Sequence, residues 1–167
     1  MKNTAIIYSF NSTKSKKISE KVTEIFGKQE IKALNAEELN KNIIEKYDNF
    51  ILSVPTWFDG ELPNYWDEFV PDLEEMDLNG KKFAIFGLGD QKGYPENFCD
   101  AIGILAEIIE NCGGTVVGHT EIKNYNFESS RAQRGNKFIG LPLDQENQAR
   151  MTSGRIKDWV AQIKSEF

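Results

Sequence analysis

Apolar positions along the chain follow two repeats. Consecutive apolar residues occur at Ala5-Ile6-Ile7-Tyr8, Phe50-Ile51-Leu52-Ser53-Val54 and Lys82-Phe83-Ala84-Ile85-Phe86-Gly87-Leu88. Short unbroken runs of this kind predict strands covered on both faces. Residues 30–34, 115–118 and 138–141 predict further, shorter strands. Between these runs the apolar residues fall at helical spacing. Ile18, Val22, Ile25 and Phe26 make one such face, with Gly27 as the C-cap. Pro63 opens a second helix at its first turn, with Trp66, Phe69, Val70 and Leu73 inward. Ala101, Ile102, Leu105, Ile108, Ile109 and Cys112 predict a third, stopped by Gly113-Gly114. Ile156, Trp159, Val160, Ile163 and Phe167 predict the last, with Thr152 or Ser153 as its cap. Residues 35–47 carry only a weak helical pattern, at Ile43-Ile44, and 119–137 is long, polar and rich in turn residues.

Strands alternating with helices predict a doubly wound parallel α/β sheet. Right-handed crossovers leave few topologies, and a length of 167 residues predicts one domain over 1–167. In such sheets ligands bind beyond the carboxyl ends of the strands. Three loops lie there: 9–15, 55–62 and 88–98.

The first of these joins a buried strand directly to a helix through Ser9-Phe10-Asn11-Ser12-Thr13-Lys14-Ser15. A strand running into a helix aims free backbone N–H groups and the positive helix end at one point, which suits a phosphate. The same hydroxyls also suit an ordinary N-cap. The other two loops carry large aromatics, Trp57 and Tyr94, among small polar residues. They either hold a flat ring between them or fold back as plugs. A phosphate at one end and a planar ring at the other describe a mononucleotide.

Composition narrows the class. The chain is 40% apolar and 28% charged, as a soluble globular protein is. No apolar run approaches the ~20 residues of a membrane span, and the start, MKNTAIIYSF, does not read as a signal peptide. Cys99 and Cys112 form no metal-ligand pattern and read as free thiols, and the single histidine, His119, builds no metal site. The expectation is a cytoplasmic protein without membrane insertion. Net charge is −6 and unevenly spread. Residues 1–46 hold nine Lys against six Glu, whereas 57–80 hold eight acids and no Lys or Arg. Nucleic-acid binding is excluded, because it needs a basic stripe. The acidic run is either a solvated face or a field that steers a basic partner. None of the three loops offers a nucleophile, general base or metal site, which argues for a carrier rather than an enzyme. A phosphorylation receiver needs an acidic pair after the first strand, where this chain has Ser9-Phe10. The glycines of GLGDQKG (87–93) are spaced GxGxxxG and lack the dinucleotide fingerprint.

Four segments carry a resemblance to a known family: PTWFDGEL (55–62), FGLGDQKGYPENFCDAIGIL (86–105), NYNFESSRAQRGNKFIGLPLDQENQ (124–148) and GRIKDWVAQIKSEF (154–167). The chain resembles the flavodoxins, small FMN-containing electron carriers, and in particular the long-chain type of cyanobacteria and algae. The resemblance implies a five-stranded parallel sheet of order 2-1-3-4-5 with helices on both faces and a long insertion splitting the last strand. It implies that residues Ser9, Phe10, Asn11, Ser12, Thr13, Lys14 and Ser15 hold the phosphate. Trp57 would stack on the inner face of the isoalloxazine and Tyr94 on the outer face. The loop of Pro55, Thr56, Trp57, Phe58, Asp59 and Gly60 would lie beside flavin N5, with the Phe58–Asp59 peptide in the place of the one that reorients on reduction. Gly89, Asp90, Asn97, Phe98 and Cys99 would border the ring, the backbones of Asp90 and Cys99 at its pyrimidine end.

The implied function is a low-potential one-electron carrier with non-covalent FMN, cycling between semiquinone and hydroquinone. Its implied partners are ferredoxin–NADP reductase, photosystem I or other ferredoxin-dependent redox enzymes, docked transiently by charge, and the chain is expected to be a monomer. An FMN-dependent NAD(P)H:quinone reductase of the same fold is the enzyme alternative. At an effective dielectric of ~20, one negative charge ~10 Å from an anionic flavin costs about 1.7 kcal/mol before screening. The acidic run therefore favours a low potential. The family pattern in the first loop is roughly Thr-x-Thr-Gly-x-Thr. Here Phe10 loses a hydroxyl and Thr13 replaces the glycine. A β-branched residue tolerates positive φ poorly, so Thr13 is expected to reshape the loop if that conformation is needed. Each lost neutral hydrogen bond is worth roughly 0.5–1.5 kcal/mol. FMN binding weaker than in typical relatives is therefore expected.

Overall fold

The computed structural model describes residues 2–167. The main sheet is built from β1 (Thr4–Tyr8), β2 (Lys32–Asn35), β3 (Asn49–Ser53), β4 (Lys82–Leu88) and β5 (Thr115–Val117), all parallel, in the order β2-β1-β3-β4-β5. This is the expected 2-1-3-4-5 order. The fifth position is split, as the resemblance implied. β5 pairs with the first half of β4, Lys82 to Ala84, and β9 (Leu141–Leu143) with the second half, Phe86 to Leu88. Between them lies the insertion, which forms its own antiparallel sheet from β6 (Thr120–Glu121), β7 (Gln133–Arg134) and β8 (Lys137–Phe138). The expected strand over 138–141 is thus two strands in different sheets. They part at Gly140, where an added Cβ would stand 2.2 Å from the Ile85 carbonyl oxygen.

The strands alternate their side chains between two apolar layers, as the pleat requires. Ala5, Ile7, Phe50, Leu52, Phe83 and Ile85 face α2 (Lys41–Glu45), α3 (Asn64–Asp67), α4 (Val70–Glu74) and α5 (Asp100–Asn111). Ile6, Tyr8, Ile51, Ala84 and Phe86 face α1 (Lys14–Phe26) and α6 (Ala149–Glu166). Helices therefore cover both faces, and the carboxyl ends of β1, β3 and β4 open onto one edge.

Three expectations are corrected. The helix after Pro63 is two short ones, and Val70 starts the second rather than lining the first. Pro71 has no N–H to extend the first helix and sits comfortably in the first turn of the next. The weak pattern over 35–47 resolves into a 3₁₀ turn, Ala36–Glu38, and α2, capped by the side chains of Asn35 and Asn40. The last helix begins at Ala149, ahead of Thr152 and Ser153. Thr152 is buried and donates to the Gln145 side chain instead. The Asp144 carboxylate captures the N–H groups of Glu146 and Asn147 just before the helix, at 3.1 and 2.9 Å.

Candidate functional site

A cleft of about 350 Å³ lies across the carboxyl ends of β1, β3 and β4. Ligand clefts typically hold roughly 300–1,000 Å³. Ser12, Lys14, Ser15, Pro55, Thr56, Trp57, Gly89, Asp90 and Tyr94 line it, together with Tyr65, Leu88 and Glu146. All three loops expected from the sequence therefore meet there. A larger groove, of about 530 Å³, lies between the insertion and α6, and the three loops contribute nothing to it.

At one end of the cleft α1 begins. Thr13 is its N-cap residue at φ −99°, ψ −65°, and its hydroxyl makes no capping bond. The backbone N–H groups of Thr13, Lys14, Ser15 and Lys16 have no acceptor among the described residues. These are the orphan donors of a helix start, and with the helix dipole they make an anion cradle. Thr13 takes a right-handed conformation at negative φ, which a β-branched residue adopts without strain. The ordinary N-cap alternative is set aside, because no side chain caps the helix.

The loop is held from behind. Ser9 is buried and its hydroxyl donates to Glu37 Oε1 at 2.8 Å, while the Asn11 amide donates to Glu37 Oε2. The Phe10 N–H donates to Asn35 Oδ1 at 3.2 Å, and the Phe10 ring, 39% exposed, leans on Tyr8 with centroids 5.0 Å apart. Ser12 donates its hydroxyl to the Ser9 carbonyl at 2.7 Å. Ser9, Phe10 and Asn11 therefore shape the turn, and Ser12, Lys14 and Ser15 face the cleft. Lys14 pairs with Glu146 across its mouth, and that bond holds its ammonium above the usual lysine range.

At the other end stand the aromatics. Trp57 and Glu61 exchange two backbone hydrogen bonds, at 2.9 and 2.7 Å, closing a tight loop with Phe58, Asp59 and Gly60 at its tip. Phe58 lies at φ +50° and is 67% exposed. Gly60 lies at φ +94°, and an added Cβ would stand 2.6 Å from Asp100 Oδ2, so only glycine fits. Asn97 sits beneath this tip and donates to Asp100 Oδ2 at 3.1 Å. Trp57 is half-buried and packs edge-on against Tyr65, with centroids 5.9 Å apart. Burial, with Glu37 adding to it, pushes the Tyr65 hydroxyl up to about 12, so it stays protonated. Tyr94 is 50% exposed. Neither Trp57 nor Tyr94 is a plug: both line open space.

Asp90 accepts from the N–H groups of Gly93 and Lys92, at 2.8 and 3.1 Å, and from the Asn147 amide at 2.8 Å. These donors, Gly93 foremost, hold its carboxyl below the usual range. The insertion braces the same loop. The N–H groups of Glu128 and Ser129 both donate to the Pro95 carbonyl, and Asn126 donates to the buried Gln91 side chain. Phe98 is turned away from the cleft: its ring packs among Tyr125, Phe127 and Phe138 at centroid distances of 5.7, 5.4 and 6.1 Å. Cys99 is buried beneath Gly89 at φ +52°. Burial, with Asp144 and Asp100 nearby, pushes its thiol well above the usual range, so it is no thiolate nucleophile. Two of the three non-glycine residues at positive φ among the described residues, Phe58 and Cys99, thus flank the cleft, and such strain concentrates at functional sites.

Sequence reasoning missed Tyr65, Glu146 and Glu37. Tyr65 read as a helix residue, and neither acid carries a local pattern. The eight acids of 57–80 are all exposed, and among the described residues only Glu75 is paired, with Lys41 at 2.8 Å.

The site's chemistry is an anion cradle and two aromatic walls about one cleft. The flavodoxin family model matches residues 6–159. The chain is 40% identical to the flavodoxin of Nostoc sp. over 99% of its own length and 98% of that protein's. It is 38% identical to flavodoxin 1 of Escherichia coli, over 98% and 94%. The crystal structure of Fusobacterium nucleatum flavodoxin bound to flavin mononucleotide superposes with a TM-score of 0.94 at 37% identity, covering 100% of this chain and 99% of that one.

Proposed function

The chain belongs to the flavodoxin family, and on that premise we propose that it carries electrons on non-covalently bound FMN held in this cleft. The observation that carries the reading is the pairing of unpartnered N–H groups at Thr13 to Lys16 with the Trp57 and Tyr94 walls of one cleft. A phosphate fits the first and a planar ring the second. The N–H groups of residues 13–16, with Ser12 and Ser15, would hold the phosphate. Trp57 and Tyr94 would flank the ring, Pro55 to Gly60 would run along its N5 edge, and Gly89, Asp90 and Cys99 would border its pyrimidine end through backbone. Phe98 supports this end from the core, and Asn97 supports the 57–61 tip.

FMN would supply the redox chemistry, and the protein would tune it. The chain would work as a low-potential one-electron carrier between the semiquinone and hydroquinone levels. The electron-rich faces of Trp57 and Tyr94 and the exposed acids of 57–80 all disfavour added negative charge on the ring. The same acids, seven of them unpaired among the described residues, would steer docking to a basic surface, on a reductase such as ferredoxin–NADP reductase or on photosystem I. The carrier would act as a monomer in the cytoplasm.

The test is spectroscopic, followed by kinetics. Purified protein titrated with FMN should quench flavin fluorescence with a dissociation constant in the tens of nanomolar, and stepwise dithionite should reduce it in two separated one-electron steps. Reduction by the reductase should slow as salt rises. No binding of FMN would sink the reading, and salt-independent reduction would remove the steering role of the acids.

A further inference from the structure

Asp144 follows β9 directly and is fully buried. Its Oδ1 accepts from the N–H groups of Glu146 and Asn147, at 3.1 and 2.9 Å. Its Oδ2 accepts from the Gln91 N–H at 3.0 Å, the Gln91 amide at 2.8 Å and the Asn147 amide at 2.9 Å. No salt bridge among the described residues involves it. Both oxygens of this buried carboxylate are thus satisfied by donors, without a cation.

Three of the five bonds wind the chain after β9, and the two from Gln91 join it to the chain after β4. The Asn147 amide donates to Asp90 Oδ1 as well, so one side chain bridges the buried carboxylate and the cleft-lining one. Asp90 winds the 90–93 turn through the Lys92 and Gly93 N–H groups, and its carbonyl accepts the Tyr94 N–H at 2.9 Å. A continuous set of hydrogen bonds thus runs from Asp144 to the residue that forms the outer wall of the cleft.

Closing the end of the sheet does not call for a buried charge, since an apolar side chain of similar size fills such a place as well or better. What a fully satisfied polar network adds is one fixed conformation. Only a carboxylate serves here. An asparagine has a single acceptor oxygen and would turn an NH₂ toward at least two of the five donors.

We propose that Asp144 and Asn147 are positioning residues of the cleft: they hold Asp90 and the 90–94 turn so that Tyr94 stands opposite Trp57, and Asp144 sets a fixed negative charge behind that wall. The proposal rests on the reading that the cleft takes FMN. The test compares the wild-type chain with Asp144→Asn, Asn147→Ala and, as a control outside the network, the exposed Asp158→Asn.

Asn147→Ala should raise the FMN dissociation constant about threefold and leave the urea midpoint of the apoprotein unchanged. Asp144→Asn should raise it at least tenfold, and the Gln91 N–H, which the wild-type apoprotein should protect from hydrogen exchange, should exchange faster. In flavin-saturated protein, Asp144→Asn should also shift the second one-electron equilibrium toward reduction at least threefold, about 28 mV at ~59 mV per decade, which a merely structural role would not do. Asp158→Asn should match the wild type in all three readouts. Wild-type affinity and potential in both network variants, with the wild type itself binding FMN, would overturn this proposal alone. A wild type that binds no FMN would overturn it together with the functional reading. Should Asp144→Asn fail to fold, an unchanged dissociation constant in Asn147→Ala overturns the proposal by itself.

Discussion

The helix end of the cleft is made of backbone, and the aromatic end is made of side chains. At the first, four N–H groups of residues 13–16 have no acceptor among the described residues because a helix begins there, whatever its side chains are. At the second, Trp57 depends on a tight loop whose tip needs Gly60 and strains Phe58, and Tyr94 depends on bonds from Asp90, Asn147 and the insertion. The difference explains why the chain can carry Phe10 and Thr13 in the first loop. Backbone donors survive such changes. A wall made of one side chain does not survive the loss of that side chain.

The comparison breaks most easily at Trp57. Trp57→Ala removes a whole wall, and FMN affinity should fall about ten- to a hundredfold, since a stacked aromatic contributes roughly 0.5–1.5 kcal/mol beyond the area it covers. A fluorescence titration checks it, and an affinity within about threefold of wild type would mean that the aromatic end contributes little. Phe10→Thr should act the other way and more weakly. The added hydroxyl restores at most one neutral hydrogen bond, about 0.5–1.5 kcal/mol, so the same titration should show a gain of up to roughly tenfold. Thr13→Gly should do least. Thr13 already sits at φ −99°, so a glycine relieves no strain, and affinity should stay within about threefold. A large gain from Thr13→Gly would show that the helix end must rearrange to bind, and would end the distinction between a preformed backbone cradle and a side-chain wall.

The insertion makes a second contrast, with the sheet. β1, β3 and β4 could be read from their apolar runs because strands covered on both faces must be apolar throughout. Residues 119–137 read only as polar and turn-rich, and yet they brace the cleft. Glu128 and Ser129 grip Pro95, Asn126 grips Gln91, and Phe127 packs on Phe98. None of these contacts has a sequence period, because each partner lies about thirty residues away along the chain. The resemblance alone set Phe98 at the border of the ring, whereas its side chain completes the core beneath the insertion.

The sequence by itself determined the order of strands and helices, the three loops at the carboxyl edge, the helix start that follows β1 and the two aromatics. Local periodicity, helix termini and turn residues encode all of these within a dozen positions. The tertiary structure alone decided which loop residues face the cleft and which stand behind it. It placed Tyr65 and Glu146 in the lining, set Glu37 behind the first loop, held Thr13 in a right-handed conformation and buried Asp144 against Gln91. Those outcomes depend on contacts between segments far apart in the chain. Such contacts form only when the two apolar layers of the sheet have closed and brought the segments together.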